Sequence, residues 1–333
     1  MQSSTAGLIL LAAAFAVSTG YGAAEPGLVT GKAYFEYTYP LESDSGITQF
    51  HFTRFYFTYE TKISKRHTVR FRLDGDEMVD GKKWRPFLKQ AYVSWQDLIP
   101  RAEAIFGMQE TPNFSYSEKF WGYRSVDKTI MEKNKITSSA DVGIGIKGEL
   151  PLKFAYHLLY ANGTGYLEPE DDSSKKGYAL LALTPVKALT LSAFYDYEAR
   201  TAENIYATYG AFGGLNLKWI KLGGEYFNRK VGGVNTTTTT TGISAYGKLS
   251  WKIKGYLGNV IARVDIYDPN AANDFDEETY ALICYDFVAD KNFHIIPNAR
   301  RTWIGSNPPS LCLAYGEPAV GRPPLPARFV PHN

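Results

Sequence analysis

Hydrophobic and polar residues alternate with a repeat of two along most of the chain. Between residues 242 and 254, Ile243 and Leu249 stand among the apolar positions of one parity, whereas Lys248 and Lys252 take the other parity. Successive side chains of a β-strand point to opposite faces of the sheet. The pattern therefore predicts a strand here that has one apolar face and one charged face.

The same division recurs in five further segments of the sequence. Their apolar parities hold Val69, Phe71 and Leu73; Val142, Ile144 and Ile146; Phe154, Tyr156, Leu158 and Tyr160; Leu189, Leu191, Ala193, Tyr195 and Tyr197; and Val260, Ala262, Val264 and Ile266. The segments 49–62 and 205–219 alternate less cleanly. A soluble sandwich also alternates, but repetition along the whole chain favours a barrel with an apolar outer wall.

The connections between these segments alternate in length. Short links fall at 64–66, 97–101, 149–151, 184–188, 218–221, 254–256 and 289–292, and longer ones at 75–84, 111–140, 162–177, 228–241 and 269–278. The run of threonines at 236–241 is interpreted as a surface loop. Short turns at one rim and long loops at the other are typical of outer-membrane barrels. Aromatic residues near strand ends, among them Tyr37, Trp95, Tyr160 and Trp219, fit the interfacial girdles of such barrels.

These patterns predict an all-β fold, a transmembrane antiparallel β-barrel of about sixteen strands, with fourteen as the alternative. Fifteen strands can be counted, and a closed barrel normally has an even number. The sixteenth strand is assigned to residues 310–316, so that the barrel occupies residues 25–316. The Pro-rich segment 317–333 is interpreted as a disordered tail, because five prolines exclude a central strand there.

The N-terminus predicts export from the cytoplasm. An apolar run at 6–17 is followed by the small residues Gly22, Ala23 and Ala24, which is the pattern of a secretory signal peptide over residues 1–24. Its first five residues carry no Lys or Arg, which departs from that pattern.

Composition supports strands and excludes one large class of partner. The 333 residues include 24 Tyr, 19 Phe and 30 Gly, and aromatic residues are enriched in strands. Lys and Arg number 36 against 34 Asp and Glu, a formal net charge of only +2. The chain therefore lacks the excess of basic residues that is typical of nucleic-acid-binding proteins. The two cysteines, Cys284 and Cys312, are too few for a disulfide framework or a thiolate zinc site.

The longest connection, residues 111–140, mixes charged and aromatic side chains. Long structureless connections are uncommon unless they are functional. We expect the aromatics to pin this loop inside the barrel and the charges to narrow the channel. The alternative is an external loop with a short solvated helix. The candidate constriction residues are Glu118, Arg124, Asp127, Lys128, Lys133 and Lys135.

The polar positions that alternate with the apolar ones predict a channel lining in which basic residues outnumber acidic ones. The candidate lumenal residues are Arg54, Arg70, Arg72, Lys147, Lys153, Lys248, Lys252 and Arg263. Rings of Arg or Lys favour anions in pores, although a wet lumen needs charges of both signs in any case. Arg70, Arg72, Arg124 and Lys128 are the residues we expect to attract anions.

No pattern for catalysis, cofactors or metals stands out. Gly143, Gly145 and Gly148 match a dinucleotide fingerprint by spacing, but they alternate with apolar residues inside a predicted strand and no helix follows. The five histidines show no metal-ligand spacing. We therefore expect no enzyme activity, no cofactor and no metal.

Three short segments give the chain a resemblance to a known family. Residues 91–95 (AYVSW), 106–112 (FGMQETP) and 138–143 (SSADVG) resemble the phosphate-selective porin O and P family, and 261–270 (IARVDIYDPN) is similar to its penultimate region. The resemblance covers roughly residues 31–298. It implies a sixteen-stranded, trimeric barrel whose third loop guides anions with basic residues, here Arg124, Lys128, Lys133 and Lys135.

The sequence as a whole thus predicts a porin of the bacterial outer membrane. Small hydrophilic solutes would diffuse through it passively, with a mild preference for anions, phosphate among them. Its partners would be outer-membrane lipid and lipopolysaccharide, small anionic or neutral solutes, and two further copies in a homotrimer. The alternatives are a barrel with a non-transport role, such as a surface lipid hydrolase or a binding or structural barrel, and a soluble β-rich secreted binding protein.

Overall fold

A computed structural model describes residues 27–39, 48–76, 85–201, 204–233, 237–253, 256–273, 275–290 and 292–305. The predicted signal peptide at 1–24, the predicted sixteenth strand at 310–316 and the Pro-rich tail at 317–333 lie outside these residues.

The described chain consists almost entirely of β-strands. They are β1 (Leu28–Thr38), β2 (Gln49–Lys62), β3 (His67–Asp76), β4 (Arg85–Gln96), β5 (Ala102–Glu110), β6 (Ala140–Leu150), β7 (Phe154–Ala161), β8 (Lys176–Val186), β9 (Leu189–Thr201), β10 (Asn204–Asn216), β11 (Ile220–Gly232), β12 (Thr237–Ile253), β13 (Tyr256–Asp268), β14 (Glu278–Asp290), β15 (Phe293–Ile295) and β16 (Asn298–Ile304). Two short helices, α1 (Ser115–Trp121) and α2 (Ile130–Lys133), lie between β5 and β6. Neither of these helices is long and apolar enough to cross a membrane.

The strands form one antiparallel sheet in which each pairs with the next along the chain. The end of the sheet is different, because β15 and β16 both pair with β14. They are successive pieces of one final strand, separated by Ile296 and Pro297. Proline has no N–H to donate to the ladder, which accounts for the break. The described sheet therefore has fifteen strand positions.

The sheet is rolled up around the segment between β5 and β6. Fifteen strands laid flat would extend roughly 70 Å, at about 4.8 Å for each neighbouring pair. Nevertheless, Arg300 of β16 donates to the carbonyl oxygen of Val126 at 3.0 Å, while Tyr56 of β2 accepts from Arg124 at 2.9 Å. Arg300 also forms an ion pair with Glu36 of β1. Only a curved sheet brings its two edges to the same central segment.

In the described ranges no backbone pairing joins β1 to β16, so the antiparallel ladder stops at these two edges. Strands at odd positions of an up-and-down sheet run in one direction, and β1 and the final strand both hold odd positions. They are therefore parallel to each other, and antiparallel closure requires one more strand between them.

The two faces of the sheet differ as the alternation predicted. Outward side chains such as Phe71, Ile144 and Ile243 are largely exposed, whereas the lumenal Asp74 and Ser244 are buried. An apolar outer surface is stable where lipid takes the place of water. The predicted class, a transmembrane antiparallel β-barrel with an infolded loop, is thus confirmed.

The sequence interpretation of the threonine run is wrong. The threonine run was expected in a loop, but Thr237–Thr241 begins β12 and pairs with β11 from Gly232 to Asn228. Thr is β-branched and packs well on a pleated surface, so the run extends the strand. The glycines that match a dinucleotide fingerprint lie inside β6, as expected.

Candidate functional site

The segment 111–139, called the inward loop below, lies inside the barrel. Its base is closed where the Thr111 N–H donates to the Ser139 carbonyl at 3.3 Å and the Thr111 hydroxyl donates to the Ser138 carbonyl at 2.5 Å. Between these ends the loop holds α1 and α2 and reaches strands on both sides of the lumen. It is the element that divides the interior.

Apolar side chains fix the inward loop to one half of the barrel. Phe114, Ile130, Met131 and Ile136 of the loop share a buried cluster with lumenal residues of β8, β9 and β11. The rest of the loop adds Trp121 and Val126 to a second cluster on β10 and β12–β14. The lumenal face of β8–β14 is called the anchor wall below, and its apolar contacts are Leu180, Ala182, Phe194, Phe212, Phe227, Tyr246, Ile261, Tyr280, Leu282 and Cys284.

Hydrogen bonds reinforce this attachment at several points of the anchor wall. Asn113 donates to Asp196, and Tyr123 donates to Asp286 at 3.0 Å. Lys221 donates to the carbonyl oxygen of Phe120. A buried guanidinium, that of Arg263, binds Asp265 at 2.6 Å and donates to the Lys128 carbonyl at 2.6 Å. Polar groups of the loop are thus paired on the side where water is excluded.

The opposite half of the lumen carries cations. The lumenal face of β2–β4, called the basic wall below, presents Arg54, Arg70, Arg72 and Lys89. Three of them surround the Tyr56 ring, with the Arg54, Arg72 and Lys89 charge centres 5.7, 5.5 and 5.5 Å from its centroid. Such distances allow cation–π attraction.

Carboxylates hold these cations in fixed positions. Asp74 is fully buried between Arg54, at 3.4 Å, and Lys89, at 3.1 Å. Arg70 pairs with Glu60 at 2.9 Å. Arg72 donates to Thr58 at 2.9 Å and lies 3.5 Å from Glu110. The basic wall is therefore an ordered array rather than a set of free surface lysines.

Arg124 connects the inward loop to the basic wall. Its Nε donates to the Tyr56 hydroxyl, which also accepts from Arg54 at 3.1 Å. Within the loop, Arg124 forms ion pairs with Glu132 and, at 3.4 Å, with Glu118. Since Glu132 also lies 3.9 Å from Arg54, loop and wall share one buried network of charges.

A cavity of about 310 Å³ opens beside this network, between the loop and strands β1 and β2. Four cations line it against a single carboxylate, and its lining residues are Tyr34, Thr53, Arg54, Arg124, Ser125, Val126, Asp127, Lys128 and Lys133. It is called the basic cavity below. Its excess of positive charge creates a potential that attracts anions.

The single carboxylate of the basic cavity is tied to one of its cations. Lys133 binds Asp127 at 3.0 Å and lies over the Tyr280 ring. Burial alone raises the pKa of Asp127, but the Lys133 charge and hydrogen bonds from Tyr280 and Lys133 outweigh it and hold the pKa below its ordinary value. Burial lowers the pKa of Lys133, against the opposing effect of Asp127. At neutral pH Asp127 is therefore a carboxylate.

The structure brings together six of the predicted residues around the basic cavity or the network beside it: Arg54, Glu118, Arg124, Asp127, Lys128 and Lys133. Arg70 and Arg72 lie on the basic wall with Arg54. Lys147 is lumenal but pairs with Glu103 at 3.1 Å, in another part of the lumen. Arg263 is lumenal too, but the loop covers it.

The remaining predicted residues lie at other places. Lys248 and Lys252 follow the lumenal parity of β12, on the anchor side of the barrel. Lys135 is an exposed loop residue outside the cavity lining. Lys153 is not on the strand that was assigned to it: it ends a short 3₁₀ turn before β7 and donates to the Pro185 carbonyl at 2.7 Å. It therefore lies at the rim, away from the lumenal wall.

Sequence reasoning missed Tyr56, which shares the lumenal parity of Arg54 but carries no charge, and it missed Lys89, because a β-bulge shifts the alternation of β4. The β3–β4 register jumps so that Arg72 faces Gln90 and Leu73 faces Leu88, which leaves Lys89 as an extra residue. The β1–β2 register shifts at Tyr34 in the same way. A bulge places two residues opposite one and reverses the parity beyond it. Irregular alternation in this part of the sequence was the available signal.

Comparison with known proteins finds likeness in structure only. No protein-family model matches the chain, and no curated protein matches it. Among solved structures, the anion-selective porin from Comamonas acidovorans has 15% identity and a TM-score of 0.56, over 84% of this chain and 90% of that chain.

Two other solved structures are similar to the same extent. Salmonella typhi OmpF, in complex with daunomycin, has 10% identity and a TM-score of 0.55, over 84% of this chain and 90% of that one. The trimer form of OmpT, an outer membrane protein of Vibrio cholerae, has 11% identity and a TM-score of 0.55, over 84% of this chain and 87% of that chain. The likeness to outer-membrane proteins agrees with the predicted location in the bacterial outer membrane. At these identities it establishes the fold: the chain has the β-barrel fold of outer-membrane porins.

Proposed function

We propose that the chain is an outer-membrane porin through which small hydrophilic solutes diffuse passively, with a mild preference for anions. The observation that carries this proposal is the basic cavity, where Arg54, Arg124, Lys128 and Lys133 face one carboxylate between the inward loop and the wall. Charged side chains at a narrow point of a pore decide which ions pass easily.

The preference is mild because most of these cations have acidic partners. Asp74, Glu132 and Asp127 neutralise part of the charge of Arg54, Arg124 and Lys133. A solute anion therefore meets a favourable potential without being trapped by an unpaired guanidinium. Conduction needs such a balance, since binding must be strong enough to admit the ion and weak enough to release it.

The solute crosses unchanged in this proposal, so the protein is not an enzyme and needs no cofactor. The outward apolar wall meets membrane lipid and lipopolysaccharide, with exposed aromatics such as Tyr37, Tyr160 and Trp219 at the interfaces. Three copies assemble into a homotrimer, for which the trimer form of the similar Vibrio cholerae protein is a precedent.

The experiment is a planar-bilayer recording of the refolded full chain in a KCl gradient. We expect discrete conductance steps and a zero-current potential on the anion-selective side. Arg124→Glu combined with Lys128→Glu should weaken or reverse that selectivity, because two lining charges change sign. Lys135→Glu is the matched control, since it makes the same change on the same loop outside the cavity lining.

Two results would contradict the proposal. An unchanged zero-current potential in the double variant would remove Arg124 and Lys128 from the account. Absence of conductance steps in the wild-type chain would remove the pore itself. Phosphate, added at constant chloride, should reduce the chloride current if it enters the basic cavity, and its lack of effect would limit the preference to small monovalent anions.

A further inference from the structure

The connection between β7 and β8, residues 162–175, reaches across the rim of the barrel and is called the second loop below. Its Tyr166 ring lies 5.9 Å from the ring of Phe87 on β4, measured between the two centroids. Strands β4 and β7 are three positions apart in the sheet, which is roughly 14 Å at about 4.8 Å for each neighbouring pair. The second loop therefore crosses the rim at β5 and β6, where the inward loop begins and ends.

The first residues of the second loop are seated on the base of the inward loop. The Gly163 N–H donates to the buried Asp141 carboxylate at 2.9 Å. Gly165 has a φ of 86°, and a side chain at this position would collide with Ser138 of the inward loop. Glycine tolerates both the left-handed backbone and the close approach. The two loops are therefore in direct contact, and the chain is directed from here toward β4.

The returning half of the second loop is fixed to β9. Asp172 lies 3.5 Å from Arg200, and the Ser174 hydroxyl donates to Glu198 at 3.3 Å. Glu198 is itself buried on the lumenal face of β9. Because both halves of the second loop are attached to the barrel, its middle part is held in place at the rim.

Tyr166 lies against one cation of the basic wall. The Lys89 ammonium is 5.3 Å from the Tyr166 ring centroid and 5.5 Å from that of Tyr56, so two rings lie beside one charge. Asp74 pairs with it at 3.1 Å, and Lys89 is only 5% exposed. Cation–π attraction favours this position of the Tyr166 ring. The next residue, Leu167, is 65% exposed and makes a natural comparison.

We propose that Tyr166 forms a second constriction, at the entrance to the basic wall, which limits the size of the anions that reach it. The inference rests on the proposed function, since it concerns the path of the solute. The inward loop covers the anchor wall, so solutes pass beside the basic wall. A neutral ring that lies against this wall at the rim narrows the path without adding charge. Small inorganic anions and short carboxylates pass it readily, whereas sugar acids are retarded.

The test compares chloride with gluconate, a sugar acid, on opposite sides of a planar bilayer. Tyr166→Ala should raise the gluconate-to-chloride permeability ratio several-fold and increase the conductance in KCl. Tyr166→Phe, which keeps the ring, should behave as the wild type, and Leu167→Ala is the matched control on the same loop. An unchanged ratio in Tyr166→Ala would overturn the proposal. An equal rise in Leu167→Ala or in Tyr166→Phe would overturn the assignment to the Tyr166 ring.

Thiol labelling in detergent keeps the two proposals apart, because it needs no current. In a background with Cys284→Ser and Cys312→Ser, Lys89→Cys places one thiol beside the Tyr166 ring. Adding Tyr166→Ala should speed its reaction with an anionic methanethiosulfonate about tenfold, because a covered thiol reacts only when its cover opens. Arg72→Cys is the control, since the Arg72 side chain is already 24% exposed, and its labelling should not respond to Tyr166→Ala. Equal labelling of Lys89→Cys with and without the ring would overturn the constriction. Faster labelling in a chain that gives no conductance steps would contradict the pore alone.

Discussion

The two halves of the lumenal wall differ in what they present to the interior. The anchor wall places Phe227 and Ile261, both with 0% exposure, beneath the inward loop. The basic wall presents Arg70 and Arg72, whose side chains are 23% and 24% exposed. One half therefore excludes water and fixes the loop, whereas the other remains accessible to solute.

This difference explains why the loop lies where it does. A loop with Trp121, Ile130 and Met131 gains most by burying these side chains against apolar residues, at about 25 cal/mol per Å² of apolar surface. The basic wall offers it a hydrogen bond between Arg124 and Tyr56 and an ion pair between Glu132 and Arg54. Ion pairs gain little net free energy once both charges leave water. The apolar contacts thus decide the position of the loop, and in the proposed function the charged contacts set the selectivity.

The largest effect on the channel should come from a charge placed among the apolar side chains that fix the inward loop to the anchor wall. Ile130→Asp buries a carboxylate among Phe227 and its neighbours, which should cost at least about 3 kcal/mol of loop attachment. We expect the inward loop to leave its position, the single-channel conductance to rise and proteases to cut the loop. Lys135→Asp, at an exposed position of the same loop, should cause none of these three changes. A wild-type conductance in Ile130→Asp would contradict the anchoring role.

A smaller effect should follow from removing the carboxylate shared by loop and wall. Glu132→Gln removes the carboxylate that lies between Arg124 and Arg54, although Asp74 remains beside Arg54 and Glu118 beside Arg124, and should cost about 2–3 kcal/mol. The anion preference should increase, as measured by the zero-current potential in a KCl gradient. Glu118→Gln is the control, because the Glu118 side chain is 32% exposed and its pair with Arg124 is partly solvated. A shift toward cations in Glu132→Gln would contradict the account.

The zero-current potential should depend on pH mainly in the acidic range. The Asp127 pKa is held below its ordinary value of 3.8, so the Asp127–Lys133 ion pair is present above that value and is lost as the pH falls through the lowered pKa. We expect a constant zero-current potential between about pH 5 and 7 and a stronger anion preference below about pH 4. Asp127→Asn should show that stronger preference at neutral pH. A wild-type shift between pH 5 and 7 that Asp127→Asn abolishes would contradict this assignment.

The smallest effect should come from a single hydroxyl. Tyr56→Phe keeps the ring beneath the cations of the basic wall but removes the oxygen that accepts from Arg54 and Arg124. The loss of about 1 kcal/mol should make Arg124 more mobile and increase the open-channel current noise, without changing the sign of selectivity. Noise equal to that of the wild type would show that Tyr56 does not position Arg124.

Much of this fold could be predicted from the sequence. The outward faces followed from alternation, as at Ile144 and Ile243, because a strand in lipid must keep one face apolar. The length and the aromatic content of residues 111–139 identified the infolded loop. The sequence did not reveal which wall would hold it, since Phe194 and Phe227 occupy lumenal positions where polar residues were expected.

The rest depended on features without a simple sequence signal. A bulge shifted the parity of β4 at Lys89, so the basic wall was only partly identified. Glu132 links the inward loop to the basic wall because it lies 3.9 Å from Arg54, a residue that is distant from it in the chain. Lys153 fell in a turn because Leu152 and Lys153 adopt left-handed backbone angles, with φ of 61° and 64°.

The most direct test of the central claim is thiol modification during a recording. In a background with Cys284→Ser and Cys312→Ser, Arg72→Cys places one thiol on the basic wall, and Ser244→Cys places one on the anchor wall beneath the loop. A charged methanethiosulfonate reagent should reduce the current through Arg72→Cys channels and leave Ser244→Cys channels unchanged. Modification of Ser244→Cys with no effect on Arg72→Cys would contradict passage along the basic wall.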